Sequence, residues 1–166
     1  AGLAQTDEEL FNSPHKLLDE WFDEYGKGLA VILGDTFGSD FMLRTISEEN
    51  TRRYPGARLD SGDPRKEAEQ WLGKWEDLGI DTKSRLLVPS DGLDLRLMLE
   101  LTDLFGKRVR VGHGWGTNLT NDLGLGPISM VMKPSEANGV SLVKLSNNLN
   151  KAMGPAKEVK RYKRVF

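Results

Sequence analysis

The sequence predicts an α/β fold: a parallel sheet built from four strand–loop–helix units, then an antiparallel hairpin and a C-terminal helix. Three observations carry this. Short apolar runs alternate with helical stretches at spacings of about 22–30 residues, as right-handed βαβ crossovers require. Each apolar run ends in Gly, Asp or Ser before the next helix begins. After Thr120 the pattern changes, and two extended runs flank Asn138-Gly139, a strong hairpin signal. The expected division is residues 1–125 for the βα units and 126–166 for the hairpin and last helix.

Residues 7–25 carry Leu10, Phe11, Leu17, Leu18, Trp21, Phe22 and Tyr25 at helical spacing. Pro14, preceded by Ser13, is expected to start a second helical segment there, because proline is tolerated in a first turn. Leu29 to Leu33 read as a strand buried on both faces. "SDFMLRTISEEN" reads as one helix. "GARLDSGD" is a strand with a polar end, and Pro64 to Leu78 form a helix with Ala68, Trp71, Leu72 and Trp75 on one face. "SRLLVPSDG" supplies the third strand and Leu93 to Phe105 the next helix. Val109 to Val111 form the fourth strand, which ends in "GHGWGT". Pro155 to Phe166 read as a basic helix with a solvated face.

Composition excludes several classes. With 166 residues and 38% hydrophobic content, the chain can bury a real core. It has no cysteine, which removes disulfides, thiolate metal sites and a cysteine nucleophile. A net charge of -2 argues against general nucleic-acid binding. No apolar run approaches the roughly 18 residues of a membrane helix. The absence of cysteine suits the cytoplasmic location that is expected, and no signal peptide is visible. The chain also lacks an initiator methionine, and it is expected to begin inside something longer.

Ligands of parallel α/β sheets and barrels bind at the C-terminal strand ends. Here those ends read Gly34-Asp35-Thr36, Asp60-Ser61-Gly62-Asp63, Ser90-Asp91-Gly92-Leu93-Asp94 and Gly112-His113-Gly114-Trp115-Gly116-Thr117. Glycines let backbone N–H groups approach an anion, and Thr117 adds a hydroxyl, so the last loop suits phosphate or is simply a tight turn. Asp60 and Asp91 suit the vicinal hydroxyls of a ribose or water around Mg²⁺; aspartates at these positions also cap helices. Asp63, immediately before Pro64, fits the capping role, as does Asp94. Arg58 and Asp60 are two residues apart and share a strand face. An inward arginine needs a partner, which is either an aspartate or a carboxylate ligand. His113 is placed to contact a ligand, His15 is expected on an exposed helix surface, and the two lack metal-ligand spacing. Trp21, Trp71 and Trp75 fit core or interface positions, while Trp115 interrupts glycines and is placed to shield a pocket.

Taken together, "RLDSGDP", "SDGLD", "GWGTNLTND", "VMKPSEANGVSLVKLS" and the terminal "RYKRVF" resemble, in order and spacing, the nicotinate phosphoribosyltransferase family. The resemblance implies part of an irregular TIM-like α/β barrel beside a second, mostly N-terminal domain. It implies the joining of nicotinate to 5-phosphoribosyl 1-diphosphate, giving nicotinate mononucleotide and diphosphate in NAD salvage, with coupled ATP hydrolysis and Mg²⁺. By the same resemblance Arg58 is similar to the arginine near the pyridine carboxylate, and Asp60 to the catalytic acid that contacts the ribosyl group. Ser90 and Asp91 match the next loop, around phosphate and ribose, and Gly114, Gly116 and Thr117 the loop taking the 5-phosphate. Asp35, Ser61 and His113 are supporting strand-end candidates.

The sequence departs from the family in three places. It resembles only the C-terminal part, and neither His15 nor His113 occupies the family's phosphorylated-histidine motif, so the missing N-terminal part of the same protein is an expected partner and the piece alone is expected to be inactive. Asn147, Leu149 and Asn150 replace the usual acid, proline and glycine. Trp115 stands where an aliphatic residue is common. Open strand edges favour association, leaving a homodimer open. A nicotinamide or quinolinate phosphoribosyltransferase, or a non-catalytic phosphate- or nucleotide-binding module, are the alternatives.

Overall fold

A computed structural model describes residues 2, 4–119, 121, 124–126, 128, 130–145 and 152–166. Helix α1 (Asp7–Tyr25) starts with a capping box, in which the Thr6 hydroxyl accepts from the Glu9 N–H and the Glu9 carboxylate accepts from the Thr6 N–H, each at 3.1 Å. Pro14 does not begin a second helix; it lies within α1. Its missing N–H leaves the Leu10 carbonyl unclaimed by the helix ladder, and the Ser13 hydroxyl donates to that carbonyl at 2.7 Å.

A short 3-10 turn (Gly26–Leu29) leads to strand β1 (Val31–Leu33), which is shorter than the apolar run suggests. The helix expected over residues 39–50 is two, α2 (Ser39–Thr45) and α3 (Glu48–Arg53). The break falls at Ile46, which is extended, and at Ser47, whose hydroxyl caps α3 by accepting from the Asn50 N–H. Then come β2 (Gly56–Leu59), α4 (Pro64–Asp77), β3 (Leu86–Pro89), α5 (Leu95–Phe105) and β4 (Arg110–Val111). Asp63 caps α4 through the Arg65 N–H at 3.0 Å, and Asp94 caps α5 through the Leu97 N–H at 2.7 Å.

The four strands are parallel and lie in the order β1-β2-β3-β4. A doubly wound sheet reverses strand order at a switch point. A sequential order with helices on one face is instead a barrel segment. The register aligns Ile32, Ala57, Leu87 and Val111 on one face, and Leu33, Arg58 and Val88 on the other. The first face is sealed: Ile32, Ala57, Leu59 and Leu87 join Trp71, Leu72, Trp75, Leu101 and Phe105 in the main core. Trp71 and Trp75 are each 1% exposed, and burial of such side chains stabilises by about 1.5–3 kcal/mol apiece.

The second face is open. Leu33 is 49% exposed, so β1 is not buried on both sides as the apolar run suggests. It is an edge strand, and the helices cover only the other face.

Beyond β4, strands β5 (Glu136–Ala137) and β6 (Val140–Ser141) pair antiparallel around Asn138 and Gly139, both with positive φ, as a tight hairpin turn requires. Helix α6 (Ala156–Val165) packs on α1 in a second core of Leu10, Leu145 and Tyr162, with Phe166 stacked on Phe37 at 3.9 Å between ring centroids. Its basic face is partly paired: Arg161 and Arg164 both bond the Asp7 carboxylate. Asn147, Leu149 and Asn150 lie outside the described residues. No described helix is long and apolar enough to cross a membrane.

Candidate functional site

The C-terminal ends of β1, β2 and β3 meet at one edge of the sheet. Arg58 is the third residue of β2 and faces the open side, between Leu33 and Val88 in register. Its Nη2 donates to Asp60 Oδ1 at 2.7 Å and its Nε to Ser90 Oγ at 3.0 Å. Ser90 Oγ in turn donates to the Val88 carbonyl at 3.1 Å. Three residues from two strand ends are thereby locked together: the pair predicted from sequence, and a serine that sequence placed on the neighbouring strand.

Backbone bonds carry the register past the strands. The Ser90 N–H donates to the Leu59 carbonyl at 2.8 Å, and the Gly114 N–H to the Pro89 carbonyl at 2.9 Å. Gly114 is glycine for a steric reason, since a Cβ there would stand 2.5 Å from Ser90 Oγ. The loop after β4 thus closes directly over Ser90. Gly116 and Thr117, further along, are exposed, and nothing lies within 4 Å of a Cβ built on Gly116.

Asp60 is half-buried, and burial pushes its carboxyl above the ordinary aspartate value. Asp35 and Asp91 raise it further, while Arg58 and Lys144 oppose the rise. These five charges therefore share one neighbourhood. Asp35, at the end of β1, is buried, and its Oδ2 lies 3.4 Å from Lys144 Nζ. Asp91 is exposed, and Ser61 is half-buried beside Asp60.

Two groups near this edge escaped the sequence reading. Lys144 lies within the "VMKPSEANGVSLVKLS" run, but its place at the β1 end, 109 residues away along the chain, is set by the fold and not by that run. Glu67 lies in the first turn of α4, where an acid would ordinarily face solvent and complement the helix N-terminus. It is 4% exposed, and burial pushes its carboxyl up to about 7, with hydrogen bonding to Ser39 opposing and Asp35, Asp40 and Asp60 adding. A signal was present, because Glu67, Trp71 and Trp75 recur every four residues and so share the core face.

The histidines sit elsewhere. His113 turns toward α5, with Nε2 3.0 Å from Thr102 Oγ1, and burial holds its ring below the usual histidine value. His15 is not an exposed helix residue: its ring lies between Phe11 and Phe41, and both nitrogens are shut from solvent. Trp115 is half-buried and packs against the main core.

Arg58 also lines an open groove of about 1650 Å³, bounded by α1, the outer face of β1 and the segments around Lys133 and Lys144. Groove and strand ends together present a guanidinium, an ammonium and several carboxylates around a space wide enough for a charged ligand of nucleotide size.

Solved structures resemble the chain as a whole. The chain superposes on a nicotinate phosphoribosyltransferase from Vibrio cholerae with a TM-score of 0.88 and 32% identity, over 94% of this chain and 39% of that one. A nicotinate phosphoribosyltransferase from Porphyromonas gingivalis gives a TM-score of 0.83 and 29% identity, over 93% of this chain and 42% of that one. This chain thus spans about two fifths of the length of the proteins it matches. A model of the nicotinate phosphoribosyltransferase (NAPRTase) family matches residues 2–166, and the chain belongs to that family.

Proposed function

We propose that this chain supplies part of the active site of a nicotinate phosphoribosyltransferase, joining nicotinate to 5-phosphoribosyl 1-diphosphate with ATP hydrolysis coupled to the transfer. The observation that carries the reading is the Arg58–Asp60–Ser90 cluster at the open strand ends of a chain that the family matches from end to end.

The roles follow from chemistry. The planar guanidinium of Arg58 is oriented by Asp60 and Ser90, and it receives the pyridine carboxylate in a forked contact. As diphosphate leaves, positive charge grows on the ribosyl carbon, and the Asp60 carboxylate stabilises it. Asp91, with Ser90, accepts hydrogen bonds from the ribose hydroxyls. The exposed backbone at Gly116 and the Thr117 hydroxyl take the 5-phosphate, while Gly114 shapes that loop by its contact with Ser90. Asp35 supports the site from β1, and Ser61 supports Asp60.

Mg²⁺ fits this donor set as an ion that arrives with the diphosphate. Among the described residues no three His, Asp or Glu side chains gather into a cage. Mg²⁺ binds through one or two carboxylates plus phosphate and keeps several waters, and when bound it neutralises charge on the departing diphosphate. Both histidines are engaged in packing, so ATP coupling is assigned to no histidine of this chain.

The test incubates the full-length protein with nicotinate, phosphoribosyl diphosphate, ATP and Mg²⁺, and follows nicotinate mononucleotide by chromatography. Product is expected, Asp60→Ala should abolish it, and nicotinamide and quinolinate should compete poorly. Normal turnover by Asp60→Ala would remove Asp60 from the mechanism. The isolated 166 residues should form no product, and robust turnover by them would show that no further part of the protein is needed.

A further inference from the structure

We propose that Lys144 is a further substrate-binding residue, holding a phosphate oxygen of the phosphoribosyl diphosphate; this rests on the function proposed above. Nothing in the strand-end motifs points to it. The placement comes from the segment after the hairpin, which returns to the sheet and is fixed there on both sides. The Lys144 N–H donates to the Met153 carbonyl at 3.2 Å, and the Met153 N–H donates back at 3.0 Å. The next residue, Leu145, is 3% exposed in the second core. The lysine therefore leaves a pinned backbone and extends to the end of β1.

There it meets Asp35, whose side chain is 8% exposed. A separation of 3.4 Å is longer than the roughly 2.7–2.9 Å of a strong charge-assisted bond. An ammonium has three donors, and this contact does not saturate them. The Lys144 side chain keeps 33% of its surface exposed and lines the same groove as Gly34, Thr36 and Arg58. Asp35 holds the cation at the mouth of the groove without burying it.

The chemistry divides the two cations. Arg58 uses Nη2 and Nε to orient itself on Asp60 and Ser90, leaving a flat fork suited to a carboxylate. Lys144 is a compact point charge, better matched to a phosphate oxygen. A counter-charge is also needed, because Asp35, Asp60 and Asp91 crowd the strand ends and a polyanion entering there meets repulsion. Lys144 already acts on Asp60 in the opposing direction.

The test uses Lys144→Met, Lys144→Arg and Asp35→Asn in the full-length protein. Inorganic diphosphate is titrated by calorimetry in Mg²⁺-free buffer, and KM is measured separately for phosphoribosyl diphosphate and nicotinate. Lys144→Met should weaken diphosphate binding about tenfold, the loss of one charge-assisted contact. It should raise KM for phosphoribosyl diphosphate and leave KM for nicotinate unchanged. Lys144→Arg should recover most of the affinity, and Asp35→Asn should keep or tighten it, since a competing acceptor is gone. Equal weakening by Lys144→Met and Asp35→Asn would make the pair a structural brace only and overturn the proposal. So would unchanged diphosphate affinity in Lys144→Met, or a rise confined to KM for nicotinate. Absence of nicotinate mononucleotide from the wild type would sink the function reading, while the calorimetry still decides whether Lys144 holds a phosphate.

Discussion

Glu67→Gln should remove a pH dependence of stability that the wild-type chain carries. The Glu67 carboxyl is buried, and its value in the folded state is raised to about 7 from 4.5. In the unfolded chain it ionises near the ordinary value. Between those two values the folded protein holds a proton that the unfolded chain has released. Stability is therefore full below the ordinary value and falls by about 1.4 kcal/mol per pH unit as pH rises toward 7. The gap between the two values amounts to a loss of about 3 kcal/mol, complete once pH has passed above 7. The glutamine side chain carries no ionisable proton and has nearly the same shape. Urea unfolding of both proteins at pH 5, 6, 7 and 8 measures the difference. Wild type should lose stability steadily against the variant across this range, and at pH 8 the variant should be the more stable by about 2–3 kcal/mol. Two curves that run parallel from pH 5 to 8 would refute the reasoning, because a carboxyl that ionises alike in both states cannot produce a slope.

Other perturbations test the packing and the site. Trp71→Ala should cost about 3–5 kcal/mol, read as a lower denaturation midpoint, because the indole is 1% exposed in the main core. Gly56→Ala should cost about 3 kcal/mol: its Cβ would lie 2.3 Å from the Leu86 carbonyl oxygen, which cannot retreat without breaking the β2–β3 register. Gly114→Ala should cost about 1–3 kcal/mol and also weaken carboxylated pyridines, since it displaces the serine that orients Arg58. Carbon-detected NMR titration should place the Asp60 midpoint above the ordinary aspartate value, and Lys144→Met should raise it further by removing an opposing charge.

Much of the scaffold was legible because its signals are local. Asp63 and Asp94 announce helix starts by side-chain geometry spanning two or three residues. Asn138-Gly139 announces a turn because both positions need positive φ. Where expectation failed, a local rule met a competing contact. Pro14 stays inside α1 because Ser13 takes over the carbonyl the proline cannot serve. The helix over residues 39–50 breaks because Ser47 caps a new one. His15 is enclosed because Phe41, from a later helix, closes over it.

The sequence by itself determined the alternation of strands and helices, the polar strand ends and the shared face of Arg58 and Asp60. All of these follow from periodicities of two and about 3.6 residues. Only the tertiary structure decided between an open sheet and a barrel segment, because strand order is set by which edges pair rather than by any one strand. It alone put Ser90 against Arg58, 32 residues away, and Lys144 against Asp35, 109 residues away. Those contacts depend on register and on the path of the returning chain, which no local pattern encodes.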